Sequence, residues 1–178
     1  MKGFSLRYSD NINDAKNELR SLQSLYDTLT KQKDKSREAA QVAVQVKTGE
    51  AWIEYGQGNI DKALQLMAAA ADMEDRMEKH PVTPGEVIPA RELFAEMLLE
   101  TNKPALALEQ FELDLKRHPN RFNGLYGAGI AAQNSGNNEK TTAHFKKLVD
   151  MADANCKRKE LQKAGSFLNA TAHSVAVK

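Results

Sequence analysis

The feature that most constrains the fold is a set of apolar and small residues that recurs 34 positions further along the chain. Seven positions between Phe94 and Leu115 correspond to seven between Ala128 and Val149. The pairs are Phe94 with Ala128, Ala95 with Gly129, Leu98 with Ala132, Asn102 with Gly136, Ala107 with Thr141, Phe111 with Phe145 and Leu115 with Val149. A fixed period of this length is typical of solenoids, in which each repeat is one pair of elements stacked on the next.

The elements inside the period are predicted to be helices. From Ile12 onward, apolar residues follow one another at spacings of three and four, which places them on one helix face. β-Branched residues never alternate over the length of a strand, and Pro81-Val82-Thr83-Pro84-Gly85 is the clearest helix-breaking segment. The sequence therefore predicts an all-α chain of about eight helices, near 12–29, 36–55, 60–79, 89–101, 104–117, 122–134, 138–151 and 157–171.

Composition excludes several classes of function. Hydrophobic residues make up 41% of the 178 residues and charged residues 28%, which is the profile of a globular protein. Lys and Arg (25) nearly balance Asp and Glu (24), so no nucleic-acid partner is expected. No apolar run approaches the length of a membrane span, and a cytoplasmic location is the default expectation. The single cysteine, Cys156, excludes an internal disulfide and a multi-cysteine zinc site.

The repeated positions resemble the tetratricopeptide repeat (TPR). In that family a small residue of the first helix lets its partner helix approach, as Ala95 and Gly129 would here, and the second helix carries a small residue followed by an aromatic, as in Ala107 with Phe111. The family's early tryptophan is replaced by Arg91 and Leu125, and its closing proline is present at Pro119 but is Asp153 in the second repeat. The resemblance implies a right-handed α-α superhelix with antiparallel helix pairs.

The same pattern continues more loosely upstream. Residues 36–80 form an extended repeat, and residues 11–32 look like the second helix of an incomplete one. Repeats at 88–121 and 122–153 and a capping helix at 157–173 complete a predicted single domain spanning 1–178. The chain also resembles the C-terminal region of longer bacterial TPR proteins of unassigned function. This implies a fragment or a shortened relative, with a possible homodimer through the incomplete first repeat.

The resemblance implies that the first helix of each pair forms a concave binding face. We expect this predicted concave face to bind a protein or peptide partner, and its acidic centre to favour a basic residue in that partner. For Trp52 a place in the core is an equally good interpretation. The co-chaperone type of carboxylate binding is not expected, because Glu92 and Glu96 stand where positive or neutral donors would be needed. The predicted face comprises Trp52, Tyr55, Glu92, Glu96, Leu99, Asn123, Tyr126, Ile130 and Gln133.

Other chemistry has weaker support in the sequence. A metal site could draw on Asp72, Glu74, Asp75, Glu78 and His80, but one histidine among scattered carboxylates is a weak signal, and a solvated acidic face is the simpler interpretation. Cys156 with His144 or His173 could form a nucleophile–base pair, but the sequence indicates no third group that would orient the base. Gly124, Gly127 and Gly129 favour tight helix packing over a phosphate loop. We therefore predict no catalytic residue, metal or cofactor, with a structural or assembly segment of a larger TPR protein, or a homodimer-forming scaffold, as the alternative function.

Overall fold

The computed structural model describes residues 12–77, 87–153 and 155–176, and these residues contain helices and no strand. The all-α prediction and its eight helices are confirmed. The third helix ends at Asp75, before the predicted end at Lys79, and the last continues past Thr171. The helices are α1 (Ile12–Thr30), α2 (Ser36–Gly56), α3 (Ile60–Asp75), α4 (Ala90–Glu100), α5 (Pro104–Arg117), α6 (Phe122–Asn134), α7 (Asn138–Asp150) and α8 (Lys159–Ala176), with a 3-10 turn at Lys33–Lys35 between α1 and α2.

One helix-ending turn recurs after α2, α4 and α6. Gly58, Asn102 and Gly136 all have positive φ, at 83°, 57° and 77°. After each of them, the next residue donates its backbone N–H to a carbonyl five residues earlier, as in Lys103 to Leu98 at 2.8 Å. This is the Schellman ending, which needs a left-handed residue that glycine and asparagine tolerate. The periodic match of Asn102 with Gly136 therefore has a backbone cause.

The described residues form two compact units, divided inside α4 between Phe94 and Ala95. In the first unit α2 packs against both α1 and α3. A core cluster contains Val44 of α2, Ala70 and Ala71 of α3, and Ala90 at the start of α4. α1 contributes no fully buried residue, because a single face of this helix packs on α2, where Leu19 lies beside Gly49.

In the second unit α6 packs against α5 and α7, and α8 packs against α7. Its core cluster contains buried residues of three helices: Leu125 and Ile130 of α6, Phe145 and Leu148 of α7, and Ala164 of α8. α8 thus shares its apolar side with the core of α6 and α7.

Glycines of α6 provide the space for aromatic rings from both neighbouring helices. A Cβ atom built on Gly127 would lie under 3.0 Å from the Phe111 ring, and one on Gly129 would meet the Phe145 ring as closely. Real Cβ atoms essentially never approach other atoms to that distance. The interpretation of these two glycines as packing residues is confirmed.

Candidate functional site

A groove in the first unit contains the chain's single tryptophan. Trp52 is 8% exposed and packs edge-on against Tyr55, with ring centroids 5.5 Å apart. We call the cavity of about 590 Å³ beside this ring the Trp52 groove. Val87, at its edge, is 90% exposed. The groove is lined by Gln41, Val44, Gln45, Thr48, Gly49 and Trp52 of α2, Glu74 and Met77 at the end of α3, and Val87, Ile88, Ala90 and Leu93.

The α2 side of the Trp52 groove follows from helix geometry. Gln41, Val44, Gln45, Thr48 and Trp52 are spaced by three and four, so they lie along one face of the helix. That face alternates apolar surface with uncharged amide and hydroxyl groups. Such a lining can bind an apolar side chain while hydrogen-bonding the backbone that carries it.

The opposite wall is positioned by polar contacts between α3 and α4. The Glu74 carboxylate accepts a hydrogen bond from the Ala90 backbone N–H at 2.6 Å, and so caps the N-terminus of α4. Arg91 donates from Nε to Asp75 at 2.6 Å and from Nη2 to Asp72 at 2.7 Å. Burial opposes the charge on Arg91, but the hydrogen bonds to Asp72 and Asp75 raise the pKa of its guanidinium above the ordinary value.

These contacts correct the interpretation of the acidic residues on α3 as a solvated face. Glu74 is 7% exposed, and the Asp75 carboxylate is bound to Arg91. Among the residues that the structure describes, no group of three His, Cys, Asp or Glu side chains could hold a metal ion. Glu78 and His80, the other two members of the proposed metal set, lie outside the described residues.

The structure buries three of the nine predicted concave-face residues: Trp52, Glu92 and Ile130. Glu92 is 0% exposed and Ile130 is 1% exposed, so neither side chain is open to a partner. Pro89, Ala90 and Arg91, which precede Glu92, are buried as well, and Ile130 belongs to the core cluster that α6 and α7 share with α8. Tyr55, Glu96, Leu99, Asn123, Tyr126 and Gln133 are partly exposed, and Trp52 is buried at the floor of its groove.

In the second unit, Arg158, which directly precedes α8, lies against the start of α6. The guanidinium of Arg158 lies 3.6 Å from the centre of the Phe122 ring, and its Nη2 is 3.5 Å from Oδ1 of Asn123. Tyr126 stacks on Phe145 at 6.2 Å between ring centroids. Burial, and to a lesser degree the charge of Glu160, raise the pKa of the Tyr126 phenol. Tyr126 is therefore partly a core residue, and its outer edge is what a partner could reach.

The suggested nucleophile pair has no supporting geometry. Cys156 is an exposed free thiol, whereas Nε2 of His144 lies 3.3 Å from the Glu112 carboxylate, which also accepts from Lys140 at 2.7 Å. The side chain of His173 lies outside the described residues. His144 thus belongs to a polar contact between α5 and α7.

Comparison with known proteins assigns no family: no family model, no curated protein and no solved structure matches the chain. Within the described residues, no helix combines the length and apolarity that crossing a membrane would require.

Sequence reasoning identified Trp52 but missed the polar contacts that build the wall opposite it. A signal was present, because three carboxylates lie within four residues of α3 and an arginine occupies the position where the TPR pattern has tryptophan. A basic residue at an expected core position, preceded by an acidic cluster, indicates a buried ion pair between neighbouring helices.

Proposed function

We propose that this chain is a non-catalytic protein-interaction module of TPR type, and that it binds an apolar segment of a partner in the Trp52 groove. The observation that carries the proposal is the position of this groove. It lies along the first helix of a predicted repeat, on the helix face where the resemblance to TPR proteins places a partner. Its volume of about 590 Å³ falls within the range of ligand-binding clefts.

Two structural features support the assignment to the TPR type. The same Schellman turn ends α2, α4 and α6, and aromatic rings of α5 and α7 occupy the space left by glycines of α6. The turns at Asn102 and Gly136 and the rings of Phe111 and Phe145 are each 34 residues apart, which is the spacing of the sequence period. We propose that the helix pairs continue this arrangement as a right-handed superhelix.

The residues that line the Trp52 groove favour a different ligand chemistry from the one that the sequence predicted. Glu92 is buried, and among the described residues that line the groove the one ionisable side chain is Glu74, whose carboxylate caps α4. A basic ligand residue therefore has less support than an apolar one. On α6 we retain Asn123, Tyr126 and Gln133 as additional proposed contacts, since they are partly exposed.

The test uses Trp52 as the reporter, since no other tryptophan contributes fluorescence. A displayed peptide library is selected on the wild-type chain and counter-selected on Gln45→Arg, which places a long cation in the groove. The matched control is Gln65→Arg, because Gln65 is a glutamine on α3 that is exposed, as Gln45 is, but does not line the groove.

Selected peptides should shift the Trp52 emission on wild type and Gln65→Arg, with binding at least about tenfold weaker on Gln45→Arg, which corresponds to about 1.4 kcal/mol. If no peptide distinguishes wild type from Gln45→Arg, the groove is not the binding site. Alanine at Tyr126 and at Glu96 then tests whether these residues contribute to any remaining binding.

A structural or assembly role is the second candidate, and α1 is the observation that favours it. This helix has no buried residue, and its Leu25 and Tyr26 are 46% and 38% exposed. Size-exclusion chromatography with light scattering separates the two roles. A dimer that dissociates on Leu25→Ser would support assembly through α1, whereas a monomer at all concentrations would contradict it.

A further inference from the structure

A second groove of about 430 Å³ lies in the first unit, and we call it the Tyr26 groove. Its floor is formed by three alanines of α2, and its walls are the ring of Tyr26 on α1 and the thioether of Met73 on α3. Polar residues of the connection between α1 and α2 form its rim. The lining comprises Tyr26, Thr30, Gln32, Lys33, Ser36, Ala39, Ala40, Ala43 and Met73.

The Tyr26 groove and the Trp52 groove occupy different faces of α2. Ser36, Ala39, Ala40 and Ala43 share one face by their spacing of three and four. At 100° per residue, this face points roughly opposite to the one that contains Trp52. A ligand in one groove therefore does not fill the other, and the inference below does not depend on the proposed function.

The floor of the Tyr26 groove has the size and chemistry for an apolar side chain. Ala40 and Ala43 are partly exposed, and alanine leaves the space that a larger residue would fill. Tyr26 is 38% exposed, so surface of this aromatic residue beside the space remains in contact with water. Covering such surface contributes about 25 cal/mol for each Å² removed from water.

The rim carries excess positive charge. The segment 31–38 contains four basic residues and two acidic ones, and one of the acids, Glu38, is paired with Lys35 at 3.0 Å. Lys33 lines the groove, and the described part of the chain places no carboxylate within ion-pair distance of it. The charge that complements this rim is a carboxylate.

We propose that the Tyr26 groove binds a segment of a partner polypeptide in which an apolar side chain is followed closely by an aspartate or glutamate. The apolar side chain fills the space above Ala40 and Ala43, between Tyr26 and Met73. The carboxylate pairs with Lys33 at the rim. This chemistry differs from that of the Trp52 groove, where none of the described lining residues is basic.

The experiment measures binding of labelled synthetic peptides by fluorescence anisotropy. The probes alternate glutamate with leucine, methionine or phenylalanine, and two matched sets replace either the acidic residue with lysine or the apolar residue with alanine. Ala43→Leu fills the groove, and its control is Ala143→Leu at an exposed site on α7. Lys33→Glu reverses the rim charge, and its control is Lys103→Glu in an exposed inter-helix turn.

We expect the acidic apolar peptides to bind the wild-type chain and both control variants equally well. Their binding to Ala43→Leu should be at least about tenfold weaker than to wild type, and their binding to Lys33→Glu about fivefold weaker. The emission of Trp52 should not shift. Three outcomes would overturn the proposal: no binding by any acidic apolar peptide, equal binding by the lysine peptides, or binding that Ala43→Leu leaves unchanged. Self-association that Ala43→Leu abolishes would instead identify a second copy of the chain as the occupant.

Discussion

Replacing Gly129 with alanine tests the packing that joins α6 to α7. In an exposed helix, alanine in place of glycine stabilises by about 1 kcal/mol, because it lowers the backbone entropy of the unfolded chain. At Gly129 the added Cβ would lie under 3.0 Å from the Phe145 ring. This ring is fully buried, stacks on Tyr126 and packs edge-on against Phe167 at 5.6 Å, so it has little room to move.

The expected magnitude follows from these two opposing effects. Overpacking a well-filled core costs about 1–3 kcal/mol, and the enclosed ring places Gly129 at the upper end of that range. Subtracting the propensity gain of about 1 kcal/mol leaves a net loss of about 2 kcal/mol. For a chain of this size the loss corresponds to a Tm lower by about 4–8 °C.

Gly165→Ala is the matched control, because a Cβ on this glycine of α8 meets nothing within 4 Å. It should raise the Tm by about 2–4 °C. Thermal and urea unfolding followed by circular dichroism measure both variants. If Gly129→Ala is as stable as Gly165→Ala, the close approach of Phe145 to α6 is refuted. In a Phe145→Leu background the cost of Gly129→Ala should largely disappear, and a double-mutant cycle measures that coupling.

Two further predictions concern polar contacts. Arg91→Leu should lower the free energy of unfolding by about 1–3 kcal/mol, since it removes the ion pairs that join Arg91 to Asp72 and Asp75. Arg76→Leu, at a neighbouring exposed position, should change this free energy by less than about 0.5 kcal/mol in urea unfolding, and equal effects of the two substitutions would contradict the role of Arg91. Burial opposes the charge of Glu112, but hydrogen bonds from Lys140 and His144 hold its pKa below the ordinary value of 4.5. Ionised Glu112 therefore stabilises the folded chain above about pH 4.5, and this stabilisation is lost as the pH falls through the lower folded-state pKa. The difference in free energy of unfolding between wild type and Glu112→Gln should shrink with acidification. A difference that is constant with pH would contradict this prediction.

The helices could be predicted because their ends are local. Gly58, Asn102 and Gly136 each supply the left-handed residue that ends a helix, and Pro104 begins α5 at a position where its missing N–H is not needed. Such signals are contained in a few adjacent residues. The packing role of Gly129 could also be predicted, because the TPR resemblance implies a small residue at this position that lets the partner helix approach.

The candidate site could be predicted less well because exposure depends on other helices. Glu92 and Glu96 lie one helical turn apart on α4, and nothing in the adjacent sequence shows that Glu92 is fully buried while Glu96 is partly exposed. Ile130 is buried in a core cluster that includes Ala164 of α8. The repeat pattern alone does not contain that helix. The face of a helix follows from periodicity, but its accessible part follows from tertiary contacts.

Arg91 shows how a departure from a repeat pattern can position a binding site. Its side chain does not line the Trp52 groove, yet it joins α3 to α4 beside Ala90 and Leu93, which do. A tryptophan at this position would hold the helices by apolar contact, whereas Arg91 holds them through Asp72 and Asp75. Because Asp72 is 56% exposed, salt and solvent weaken part of this link. The width of the Trp52 groove should therefore depend on ionic strength. Apolar contact from a tryptophan at position 91 would not produce this dependence.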